Sequence, residues 1–524
     1  MPTRRRWALA AHLVLLPQIA LAEAPSSAID WLSESIGAGA TAGETDNGSK
    51  ANLPPVAGER AVSSDTLPDP VATSVLGGPS LDAVGLLPSN VTGLPRNLWG
   101  IGRSDEIAAL IGTVGQGDVP ALQSQLMTLL LAEADPPVAS IDDGTLLLAR
   151  IDRLLAMGAL DQAASLIDAA GAGKSPELFR RSFDVALLTG QEDAACDVLK
   201  SSPGLAPTVT TRVFCLARSG DWNAAALTLR TAQALGNVTE TEDHLLSRFL
   251  DPELFDGEDL PPPPNPITPL IWRIYDALGA PLPTANLPPA FAHADLSSHA
   301  GWKAQIEAAE RLARAGVISP NVLLGLYTDR TPAASGGVWD RADAFQRFDA
   351  ALTKGDVTAI EQRLPLAYAR MKDVELEVPF ATLFGESLAK YKLKGDAARI
   401  SFEVGLLSPD YKRLAKPDAA NQDARGVFLA GLATGSVDGL IAPDSMARAI
   451  APAFSDPKLA EDLSLLVDQG RIGEAILQAM LRVDQGLVGD LTRVSEGLSA
   501  LRILGLEDTA RRTALQLMIL ERRG

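Results

Sequence analysis

The chain has 524 residues, 65 Asp and Glu against 46 Lys and Arg, and a net charge of −19. Such an acid excess repels phosphate backbones and anionic lipid, which argues against nucleic acid as a partner and against adsorption to a membrane. With two cysteines and four histidines the chain is too poor in soft ligands for a zinc site, which usually draws three or four of them, so no metal or cofactor is expected.

Arg4, Arg5 and Arg6 precede an apolar run from Trp7 to Ile19, and Ala20-Leu21-Ala22 supplies the small residues that a signal peptidase reads. The pattern predicts a signal peptide over 1–22, cleaved after Ala22. The apolar run is shorter than the roughly 20 residues that span a bilayer. No Cys lies near the cut to take a lipid. The mature chain is expected in a periplasm, or secreted, with no membrane anchor. Loss of three arginines takes its charge from −19 to −22. The paired arginines also fit a twin-arginine signal, and the general route is favoured.

Residues 23–103 are rich in Gly, Ser, Pro, Thr and Asp. Most of this arm cannot bury enough surface to offset chain entropy and is predicted disordered. Two apolar islands stand out, at 29–36 with Trp31, Leu32 and Ile36, and at 81–101 with Leu94, Leu98 and Trp99. The first is expected to form an amphipathic helix for a partner. The second is expected to dock on the protein itself, as a cap on the first helices that follow.

From 104 to 524 apolar residues recur three and four apart, as in Leu459, Leu463, Leu466 and Val467, which predicts one-sided helices that must pack on neighbours. Gly followed five positions later by Ala recurs at Gly158/Ala163, Gly190/Ala195, Gly220/Ala225, Gly470/Ala475 and Gly505/Ala510. Gly permits the left-handed residue that ends a helix, and a small Ala lets the next helix approach closely. A Pro-rich interruption falls at about 255–290 and includes Pro261 to Pro264.

The Gly/Ala spacing, followed by Ile167, Leu199 and Leu229 and then Ala170 and Ala232, resembles the tetratricopeptide-like family of helical hairpins. Ser202 departs from the pattern, and the family's Trp and Leu-Gly near the start of the first helix are missing. The likeness is good over about 145–235, fair over 455–522 and poor between. It implies an all-α solenoid of antiparallel hairpins that acts as a binding scaffold, and it carries no catalytic residues.

Cys196 falls in the second helix of one repeat and Cys215 in the first helix of the next, nearly opposite. They are a candidate disulfide, which would contribute about 3 kcal/mol for a loop of this length.

Motifs with catalytic associations fail on their context. Gly171–Ser175 lacks the first Gly of a phosphate loop, with Asp168 in its place. Ser387-Leu388-Ala389-Lys390 lacks the companion motifs of penicillin-binding enzymes. Glu386-Ser387 resembles the start of a lytic transglycosylase domain, but the sugar-cleft residues do not follow. Asp251, Glu253, Asp256, Glu258 and Asp259 have no calcium-loop spacing. The loop at 329–339 is long, and Tyr327, Arg330, Trp339 and Arg341 around it are candidate partner contacts; the favoured alternative is that Trp339 begins a helix and packs inward. The sequence thus points to a periplasmic adaptor for a protein or peptide, with no catalytic set. The alternative is an envelope enzyme or enzyme accessory acting on peptidoglycan.

Overall fold

The computed structural model describes residues 80–115, 119–138, 144–297, 299–416 and 421–520. The signal segment, the island at 29–36 and the rest of the arm to 79 lie outside them. The described residues form twenty-five α-helices and no strand. Leu87 and Ala132 make a lone parallel bridge.

Consecutive helices pack as pairs: Thr145–Ala156 with Leu160–Ala170, Pro176–Thr189 with Glu192–Ser201, Val209–Arg218 with Trp222–Leu235, and Ile472–Val488 with Thr492–Ile503. Gly158, Gly190, Gly220, Gly470 and Gly505 all have positive φ, between 71° and 85°. Each ends a helix just before the next begins. Ala163, Ala225, Ala475 and Ala510 are fully buried where the paired helices meet, and Ala195 nearly so. The local signal is therefore realised as drawn: a left-handed turn, then a small residue at closest approach. Side chains close several helix starts. Ser175 accepts from the Leu178 amide and Asp221 from the Ala224 amide. The would-be phosphate loop at 171–175 is thus a helix end, at Gly171, followed by a helix cap.

The helices enclose two cores. The larger runs from Leu94 to Ile519, the smaller from Phe179 to Tyr275. Helix Pro176–Thr189 is a shared wall. Its Leu178, Val185 and Leu188 face the larger core, and its Phe179, Phe183 and Leu187 face the smaller. Cys196 and Cys215 are joined by a disulfide within the smaller core. The Pro-rich stretch holds a helix of its own, Pro269–Ala277. This helix packs on Pro176–Thr189 and Glu240–Leu250 and buries Leu270, Ile271, Trp272, Ile274 and Tyr275. One face of each of these two helices is therefore covered by the chain itself.

The two ends of the described chain meet. Gly473 N–H donates to Leu98 O at 2.8 Å, and a Cβ on Gly473 would lie 2.5 Å from the Trp99 ring. Helix Pro120–Leu131 packs on Glu507–Ile519, where Ala121 N–H donates to Gln516 Oε1 and Thr509 Oγ1 to Gln125 Oε1, both at 2.8 Å. Residues 80–103, placed in the arm by composition, are thus part of the larger core, with Trp99 2% exposed. The island docks on the protein, but its surface is the C-terminal hairpin as well as its neighbours in sequence.

Candidate functional site

The two cores leave a cleft of about 790 Å³ where they adjoin. One wall is the last turn of helix Pro176–Thr189, with Leu187, Leu188 and Thr189. The others come from Trp272 to Asp276 and from His293 to Ala300. Clefts of this size between separately packed units are favoured places for ligands.

Its polar side chains are held in place by the fold. Trp272 Nε1–H donates to Leu282 O at 2.9 Å. Arg273 is bound by buried Glu192 at 2.6 Å and by Asp276 at 3.0 Å. Asp295 accepts from the Thr284 hydroxyl. His293 sits on the short helix Ala292–Asp295 and donates from Nε2 to Gly158 O at 2.7 Å. This bond needs the tight turn at Gly158, where any Cβ would come within 3.1 Å of Pro289 Cβ.

Burial holds His293 below the ordinary imidazole value, against the smaller opposing effects of the Gly158 carbonyl and Asp161. The unfolded chain binds its proton near pH 6.5. The folded chain resists protonation, so the contribution to stability is complete above that pH. It is lost as pH falls from about 6.5 through the lower folded value. The thermal midpoint is expected to drop between pH 7 and pH 5. The drop should be shallower in His293→Gln, whose amide can still donate to Gly158 O. Equal slopes in the two proteins would assign the acid sensitivity to other groups.

No family model, no curated protein and no solved structure matches the chain. The case for a site therefore rests on its geometry.

The residues singled out around the 329–339 loop are mostly structural. Tyr327 is fully buried and its hydroxyl donates to Glu310 Oε1 at 2.5 Å. Arg341 grips the same carboxylate with two bonds, at 2.8 and 2.7 Å. Trp339 packs on Trp302 with ring centroids 5.1 Å apart. A partner cannot reach Tyr327, and Arg341 is committed to Glu310. Arg330 alone of the four is exposed, paired with Asp329 at 3.0 Å. Trp31, Leu32 and Ile36 lie outside the described residues.

The motif residues do not assemble a site. Glu386, Ser387 and Lys390 are near the end of helix Glu377–Leu388 and line neither this cleft nor the cavity beside Arg153 and Arg311. Asp251 caps the Leu254 amide, and Glu258 pairs with Arg248 at 2.8 Å. The sequence did carry one hint of the cleft. His293 and His299 are two of the chain's four histidines, and they sit six residues apart beyond the proline run.

Proposed function

We propose that the protein is an exported tetratricopeptide-like scaffold that binds a protein or peptide partner, and that the cleft between its cores receives a basic segment of that partner. The observation that carries the reading is the cleft itself, about 790 Å³ with apolar walls from Leu187, Leu188 and Leu282 and two acids, Asp276 and Asp295, against one cation, Arg273, which Glu192 and Asp276 already hold. The final carbonyls of helix Pro176–Thr189 add partial negative charge at the same wall. The charge of −19 draws basic partners from a distance. Polar groups that are already bonded suit recognition better than proton transfer. Because helix Pro269–Ala277 covers one face of helix Pro176–Thr189, the reading places the binding surface at the boundary of the cores rather than in the repeat groove.

Fluorescence polarisation with three pools of short peptides, rich in Lys and Arg, rich in Asp and Glu, or neutral, tests this. The basic pool is expected to bind the mature protein tightest. Asp276→Lys, which reverses a wall charge, and Ser297→Trp, which fills space, should each weaken binding at least tenfold. Equal affinity for the basic and neutral pools would count against the reading, as would variants that bind like the parent. Release of soluble fragments from purified peptidoglycan would favour an envelope enzyme instead.

A further inference from the structure

A separate cavity, of about 420 Å³, lies between helix Thr145–Ala156, which supplies Arg153, and helix Trp302–Arg314, which supplies Arg311 and Arg314. Glu375 is its one acidic lining residue, so the charged lining sums to +2 in a chain of −19. Three arginines at one half-open cavity run against the acid excess of the whole molecule.

The guanidiniums are fixed in place but only partly used. Arg153 donates from Nη2 to Gly115 O at 2.7 Å, while its Nε is buried with no hydrogen-bond partner among the described residues. Arg311 donates to Thr284 O at 2.9 Å and Leu287 O at 2.7 Å. Arg314 donates from Nε to Val374 O at 3.1 Å. Backbone carbonyls orient all three planes, and one acid stands near each: Asp484 by Arg153, Asp295 by Arg311, and Glu375 by Arg314. Burial holds Arg153 and Arg311 below the ordinary guanidinium value, and Arg311 has like-charged Arg314 one turn away. A buried donor without an acceptor costs free energy that an anion in the cavity would recover.

The loop facing Arg314 is also unusual. Among the described non-glycine residues Glu375 alone has a positive φ, 58°. A conformation of that kind costs about 1–3 kcal/mol and persists where surrounding contacts enforce it. It places Val374 O on Arg314, and the Glu375 carboxylate forms an ion pair 3.8 Å from Arg314 Nε.

We propose that this cavity binds a small molecule carrying an oxyanion, a phosphate or a carboxylate. Guanidinium planes already held by carbonyls meet such a group with paired donors and lose little freedom in doing so. The volume suits a small ligand rather than a folded domain. The inference is independent of the peptide reading, because the two cavities share no lining residue.

The test uses the full mature protein and two probes, inorganic phosphate and succinate, each titrated by calorimetry against chloride at matched ionic strength. Saturable binding of either probe is expected, and the stronger one tells phosphate from carboxylate. The variants are Ala156→Glu and Ala315→Glu. They add a carboxylate to opposite walls and replace none of the arginines. Circular dichroism and the thermal midpoint establish that they are folded. At least a tenfold rise in Kd in either variant supports the site. Binding of neither probe beyond the chloride control overturns it, and so does undiminished binding in both variants.

Discussion

Replacing Arg150 by Met is expected to cost about 3–5 kcal/mol of stability, the range for stripping one partner from a buried charged cluster. Arg150 is 1% exposed. Its guanidinium donates to Leu130 O at 2.7 Å, Ala132 O at 2.9 Å and Val84 O at 2.8 Å. Asp82, fully buried beside it, accepts from the Leu147 amide at 2.8 Å on the same helix. One side chain therefore ties residues 82–84 to residues 130–132. Burial pushes Arg150 down to about 10, with Asp82 opposing. It remains charged at neutral pH. Methionine fills most of the volume but strands three carbonyls and an acid. Arg150→Lys should lose nearly as much, since one ammonium cannot span the fork that a guanidinium fills. Urea midpoints measure the loss, and proteolysis near residues 80–135 should accelerate first. A change below about 1 kcal/mol in Arg150→Met would mean that these segments hold together without it. Pairing it with Asp82→Asn should recover part of the loss, because the stranded acid is then gone.

What the sequence revealed was local. A left-handed turn at Gly190 and a buried Ala195 five residues later depend on one hairpin only, so the spacing shows them. The same holds for Cys196 and Cys215, which fall on adjacent helices and are bridged. Contacts between distant segments leave no such trace. Glu310 gathers Tyr327 and Arg341 across two helices, yet in sequence it is one acid among 65. Helix Pro269–Ala277 reads as a remnant within a proline-rich spacer, because its partners at 176–189 and 240–250 are settled by shape. Both cavities draw their walls from segments more than 100 residues apart, so neither has a motif. Near 329–339 the inward packing of Trp339 at a helix start was legible, while the burial of Tyr327 was not, because it depends on Glu310 and Arg341 from other helices.

Trp99→Ala is expected to lose about 3–5 kcal/mol, the usual range for deleting a buried tryptophan ring, and to do so by opening the junction between the two ends of the described residues. The ring is 2% exposed and lies on Gly473. Around it the backbones touch. A Cβ at Gly100 would sit 2.5 Å from Gly470 O, and Gly473 N–H reaches Leu98 O. Arg471 adds an ion pair to Glu106 at 3.3 Å, of small value because Glu106 is exposed. The apolar ring and the missing side chains opposite it therefore dominate. Hydrogen exchange supplies the decisive readout. Amides in 472–488 should lose protection in Trp99→Ala, while those in the disulfide-linked pair 192–218 keep theirs, because they belong to the other core. Gly473→Val attacks the same contact from the other side by forcing a branched side chain against the ring, and it should produce the same exchange pattern. A uniform loss of protection across both cores would show instead that the chain unfolds as one unit and that the junction has no separate existence.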